Sequence, residues 1–106
     1  MAQRNVVWTK TADIQFVSVL EYWAKRNKSN FYSKKLIKVV SKCTEQLANN
    51  PFLGKASDFK NTRAFTLRNF SIFYQVTNTQ LIITAFWDNR QNPQKLLEIL
   101  QEKTNK

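Results

Sequence analysis

The chain of 106 residues carries 17 lysines and arginines against 7 acids, a formal charge of +10, with 42% apolar residues. That length and core content fit one domain, residues 1–106. There is no histidine and one cysteine, Cys43, which excludes Ser-His-Asp and Cys-His catalysis, histidine zinc sites and an internal disulfide.

The acids are scattered along the chain without a cluster of the kind that holds magnesium, so no metal and no cofactor is expected. No apolar run approaches the roughly 18 residues of a membrane span. Met1 to Asn5 leads straight into an apolar strand pattern without a signal-peptide core, so a cytoplasmic location is expected. So large a positive charge favours an anionic partner, either nucleic acid or an acidic protein segment.

Asn5-Val6-Val7-Trp8-Thr9 is β-branched and aromatic and predicts a short strand. A helix is predicted from about Thr11 to Lys25, capped by Thr11, with Asp13 in the first turn where the helix dipole favours an anion. Phe16, Val19, Leu20 and Trp23 recur at the spacing of a buried helical face, which Val17 and Ala24 widen. Arg26 to Asn30 breaks the pattern and offers Ser29 or Asn30 as cap of a second helix, running to about Ala48. Its apolar stripe is Tyr32, Leu36, Val39, Val40, Cys43 and Leu47, with Lys35, Lys38 and Lys42 on the other side. Cys43 therefore counts as a small buried hydrophobe rather than a nucleophile. The short connection predicts an antiparallel helical hairpin.

Asn49-Asn50-Pro51 ends that helix, Gly54 is the only glycine, and the polar, aperiodic stretch to Thr62 predicts a surface loop. Arg63 to Arg68 is a predicted strand. Phe70, Ile72, Tyr74 and Val76 then alternate with Ser71, Phe73, Gln75 and Thr77, the period of a sheet with one buried face. Thr77 to Gln80 suits a hairpin turn, and Leu81 to Trp87, apolar at nearly every position, suits a central strand covered on both sides. Asn92 and Pro93 are placed as cap and first residue of a last helix carrying Leu96, Leu97 and Leu100. The predicted class is α+β in the order β-α-α-β-β-β-α, a helical hairpin packed on a mainly antiparallel twisted sheet, with a short C-terminal helix. Leu20, Leu36, Val40, Ile72 and Ile83 are its expected core.

Three segments carry a resemblance. Leu47-Ala48-Asn49-Asn50-Pro51-Phe52-Leu53-Gly54 has the form Leu-x-x-x-Pro-x-x-Gly, Arg63 to Val76 ends in the aromatic strand Phe73-Tyr74-Gln75-Val76, and Trp87-Asp88-Asn89-Arg90-Gln91-Asn92-Pro93 places an arginine after a strand end. In this order and spacing the chain resembles the RelE/ParE superfamily, toxins of bacterial type II toxin–antitoxin systems. The resemblance implies an acidic antitoxin as partner, a toxin–antitoxin hetero-oligomer, and DNA gyrase or ribosome-bound mRNA as target. RelE-type members are metal-independent mRNA endonucleases working with basic residues and often a C-terminal tyrosine. Here Ser71 stands where those nucleases have an arginine, Ala64-Phe65-Thr66 lacks their lysines, and no tyrosine follows Asn92. The expectation is accordingly a ParE-like toxin that inhibits growth by binding. The alternatives are the RelE-type endonuclease, or, from another class, a basic nucleic-acid-binding module or an inactive homologue.

Arg63, Arg68 and Arg90 lie at strand ends, where a guanidinium can hold phosphate or carboxylate by two parallel bonds. They are the candidate target-binding residues, and an Arg90–Asp88 salt bridge is the structural role weighed beside that one. No catalytic residue can be named. Trp87, Leu97, Lys35, Lys38 and Lys42 are the candidate antitoxin contacts.

Overall fold

The structure is a computed structural model that describes residues 4–90; the helix expected from Asn92, with Leu97, lies outside the described residues. The described elements are β1 (Asn5–Trp8), α1 (Lys10–Asn27), α2 (Phe31–Asn49), a 3-10 turn at Pro51–Leu53, β2 (Lys55–Ala56), β3 (Arg63–Leu67), β4 (Phe70–Val76) and β5 (Gln80–Asp88). The strands form one sheet in the order β1-β5-β4-β3-β2. It is antiparallel except where β1 runs parallel to β5. This is the expected α+β arrangement, two helices packed on a mostly antiparallel sheet, with one more strand than the sequence suggested, since β2 pairs with β3 inside the segment read as loop.

Helix α1 starts earlier than predicted because Thr9, not Thr11, is its cap: its extended backbone lets Oγ1 accept a hydrogen bond from the Ala12 amide at 3.2 Å. The helix ends with Lys28 in the left-handed region (φ 51°), and Ser29 N–H donates to the Ala24 carbonyl. At the start of α2 the Ser29 hydroxyl, rather than the Asn30 side chain, accepts from the Phe31 amide. The buried Ser33 hydroxyl donates to the Leu20 carbonyl at 2.7 Å and ties the two helices together.

Leu36, Val40, Cys43 and Leu47 of α2 meet Phe70, Ile72 and Tyr74 of β4 and Leu81, Ile83 and Phe86 of β5 in the main core. Leu20 packs against its margin, half-buried. Burial of the Cys43 thiol pushes its pKa up, which keeps it protonated and inert. A bulge shapes β5: Phe73 pairs with Ala85 but Tyr74 with Ile83, leaving Thr84 as an extra residue. The bulge reverses the alternation, so Ile83 and Phe86 both join the helix-side core, while Ala85 and Trp87 join Phe73 in a second apolar cluster. The apolar run of β5 is thereby distributed over both faces of the sheet.

Candidate functional site

The most developed arrangement lies where β5 ends. The Arg90 guanidinium holds the nearly buried Asp88 carboxylate by two parallel hydrogen bonds, Nε–Oδ1 2.9 Å and Nη2–Oδ2 2.7 Å, and the Arg90 amide adds a third at 3.0 Å. The same guanidinium lies 4.8 Å from the ring centre of Trp23 and 6.0 Å from that of Phe70. Hydrogen bonding from Arg90 holds the Asp88 carboxyl below the usual carboxylate range, against the opposing effect of burial. Asp88 is thus a poor proton acceptor.

The β3–β4 turn lies beside this pair. Leu67 pairs with Phe70, leaving Arg68 and Asn69 as a two-residue turn with Arg68 in the left-handed region (φ 57°). Asn89 N–H donates to the Asn69 carbonyl at 2.8 Å and the Asn89 side chain accepts from Ser71 Oγ at 2.8 Å, which joins the turn to the end of β5. Arg68 and Arg90 therefore share one end of the sheet, both exposed.

Arg63 does not join them. It lies five residues before Arg68, about 16 Å along an extended strand. Its Nε and Nη2 both donate to the Gly54 carbonyl, at 3.0 and 2.7 Å, and its guanidinium stacks 5.0 Å from the Phe52 ring centre. It clamps the corner after α2, where the buried Tyr74 hydroxyl donates to the Pro51 carbonyl and accepts from the Gly54 amide. A Cβ on Gly54 would come within 2.3 Å of that hydroxyl and 2.9 Å of the Ala64 carbonyl. Gly54 is required by this close approach and not by an unusual backbone angle.

A groove of about 650 Å³ runs from Arg90 along α1. Ile14, Ser18, Tyr22 and Arg26 line it on the helix, and Phe86, Trp87 and Asp88 on β5. It exists because β1 ends at Trp8 and hands over to α1, so among the described residues β5 beyond Ile83 has no neighbour strand on that side. Gln15 takes the missing strand's place, its Oε1 accepting from the Phe86 amide at 3.0 Å. Two buried donors beside the groove, Gln15 Nε2 and Trp23 Nε1, have no acceptor among the described residues. Trp87 borders the groove, but its side chain is buried with Phe73 and Ala85. Lys35, Lys38 and Lys42 are exposed on α2 and do not line it. Sequence reasoning missed Gln15, Trp23 and Arg26. The last two form an i, i+3 cation–aromatic pair, 5.9 Å apart, that the sequence spacing could have flagged.

The model of the ParE toxin of type II toxin–antitoxin systems, parDE, matches residues 6–93. The chain belongs to the ParE toxin family. Two solved structures share the fold of this ParE-family chain. One, titled as a chromosomal ParDE toxin–antitoxin system from P. aeruginosa, superposes with a TM-score of 0.69 at 16% identity and covers 79% of this chain and 94% of that one. The other, the toxin–antitoxin complex RelBE2 from Mycobacterium tuberculosis, gives 0.59 at 17% identity, covering 80% and 96%. No protein of curated function matches the sequence. On this ParE-family scaffold the end of the sheet offers two guanidiniums and one carboxylate already engaged. That set can bind anions by charge-assisted hydrogen bonds, but its own groups are poorly suited to accepting a proton near neutral pH.

Proposed function

We propose that this ParE-family toxin stops growth by binding an essential target, with DNA gyrase as the candidate, through the Arg68–Arg90 end of its sheet, and that an acidic antitoxin neutralises it in the adjacent groove. The observation that carries this reading is Arg90 itself. It follows the end of the aromatic-rich strand β5 by two residues, lies over Trp23 and is steered by Asp88. It borders the groove and adjoins Asn89, which is bonded to the exposed turn at Arg68–Asn69. A partner lying in the groove would cover Arg90, so neutralisation follows from occlusion.

The groove suits an acidic segment with apolar anchors. Ile14 and Tyr22 are exposed apolar surface, Arg26 and Arg90 supply positive charge, and Gln15 Nε2 and Trp23 Nε1 are donors without acceptors among the described residues. A disordered antitoxin tail folding on contact would bring carboxylates and carbonyls to those groups. Its on-rate should fall with added salt, because charge steers the encounter.

The test is induction in cells with and without the product of the adjacent gene. Growth arrest by the wild-type chain, loss of arrest with Arg68→Ala or Arg90→Ala, and rescue by the neighbouring product support the reading. Tyr22→Ala with Ile14→Arg should remain toxic while escaping rescue. A soluble chain that is harmless on expression and binds no neighbouring product would refute it.

A further inference from the structure

Residues 22–44 contain Lys25, Arg26, Lys28, Lys34, Lys35, Lys38 and Lys42 and not one acid. These seven charges lie on the end of α1, the connection and most of α2, and all seven side chains are exposed. The one ion pair among the described residues, Arg90–Asp88, is elsewhere. Phe31 opens α2 and is 75% exposed. Lys34, Lys35, Lys38 and Lys42 follow it at three, four, seven and eleven positions, the spacing of a single helical face. Lys34, Lys38 and Lys42 form one ridge spanning about 12 Å of helix. Helix faces at this spacing usually bury apolar groups. Here the buried stripe of α2 is Leu36, Val40, Cys43 and Leu47, so Phe31 and its lysines form a second, outward stripe with nothing packed on it among the described residues.

We propose that this outward face of α2 binds single-stranded nucleic acid, with Phe31 stacking on a base and the Lys34–Lys38–Lys42 ridge following the phosphates. Flexible ammonium groups repeated along a line suit a polyanionic backbone, which they neutralise without sequence preference. An exposed aromatic ring among cations is the stacking platform such binders use. A protein partner fits less well, because protein interfaces deplete lysine and require an apolar centre, and the large apolar groups exposed on α2 are only Phe31 and Ile37. A duplex fits less well because its stacked bases leave no face for Phe31. Phe31, Lys34, Lys38 and Lys42 do not line the groove and are not the arginines assigned to the target, so the proposal stands or falls independently of the toxin's target.

The experiment is anisotropy of a fluorescein-labelled mixed-sequence 12-nucleotide single strand titrated with the full chain from 50 to 200 mM salt. Log affinity should fall linearly with log salt, with a slope of about −0.7 per phosphate contacted. Replacing Lys34, Lys38 and Lys42 together by Gln should reduce the slope's magnitude by about 2 and the affinity by about tenfold or more. Lys10→Gln, Lys55→Gln and Lys60→Gln together remove the same charge from exposed positions elsewhere and should leave the slope unchanged. Phe31→Ala should weaken binding by about tenfold with no change in slope, since stacking releases no counterions. Circular dichroism should show every variant folded. Equal losses in the two triple variants would reduce the effect to net charge and overturn the proposal. So would tighter binding to the matching duplex that ignores Phe31→Ala, equal or tighter binding to a poly-glutamate peptide, or no binding at 50 mM salt.

Discussion

Arg90 reaches back two residues to grip Asp88 with both prongs of its guanidinium, at 2.9 and 2.7 Å, while the guanidinium carbon lies over the Trp23 ring. The pair does two things at once. It fixes the direction of a half-exposed cation just beyond the end of β5, and it ties that cation to the wall of a groove on α1. A lone surface ion pair contributes little to stability; here the nearly buried carboxylate and the aromatic stack make it a positioned one.

Replacing either partner should separate position from charge. Arg90→Ala should abolish growth arrest and cost about 1 kcal/mol in urea unfolding, discounted for the half-exposed guanidinium. Asp88→Asn should cost a similar amount but leave Arg90 charged, so arrest should be weakened and not lost. Equal toxicity of wild type and Arg90→Ala would remove Arg90 from the target surface.

The same pair sets an acid response. The Asp88 carboxyl titrates below its unfolded value of about 3.9. Its contribution to stability is therefore fully present above about pH 4 and is lost as the pH falls through the lower folded pKa. The stability difference between wild type and Asp88→Asn, followed by denaturant unfolding from pH 7 to pH 2, should be constant above pH 5 and shrink below pH 4. A difference that grows on acidification would contradict the assignment.

Arg68 occupies a backbone region that costs an ordinary residue about 1 kcal/mol. Arg68→Asn should relieve part of that strain and raise stability by about 0.5 kcal/mol, since Asn tolerates the left-handed region. If the turn contacts the target, the same variant should lose toxicity. Stabilisation with toxicity intact would leave Arg68 without a role in target binding.

The corner after α2 should be the least forgiving part of the fold. Tyr74→Phe strips partners from the buried Pro51 carbonyl and Gly54 amide and should cost about 2–3 kcal/mol. Gly54→Ala, forced against the Tyr74 hydroxyl, should cost at least about 2 kcal/mol. Because Phe removes the atom that the new methyl would strike, the double variant should cost less than the sum, measured as a double-mutant cycle.

Periodicity made the framework legible. The stripe of α2 and the alternation Phe70, Ile72, Tyr74 place the buried faces correctly, and Pro51 and Gly54 do mark the turn. Two-residue β2 was invisible because alternation cannot show in two residues. The bulge at Thr84 was hidden because every position around it is apolar or small, so either parity reads as buried. Of the three candidate arginines, Arg68 and Arg90 share one end of the sheet and Arg63 does not, a separation the sequence contained: the five positions from Arg63 to Arg68 span about 16 Å of strand. The Asp88–Arg90 pair was legible, being two residues apart. The groove was not, because it depends on β1 stopping at Trp8 while β5 continues to Asp88, a relation between elements distant in sequence.

The central claim, that the sheet end binds a target rather than cleaving RNA, is tested most directly by mapping mRNA 5′ ends and plasmid topology in the same cells within minutes of induction. The account predicts intact ribosome-bound mRNA together with loss of negative supercoiling, the latter absent with Arg90→Ala. Cuts positioned by codon, appearing on induction and abolished by Arg90→Ala, would contradict it and place the chain's chemistry with the RelE-type endonucleases.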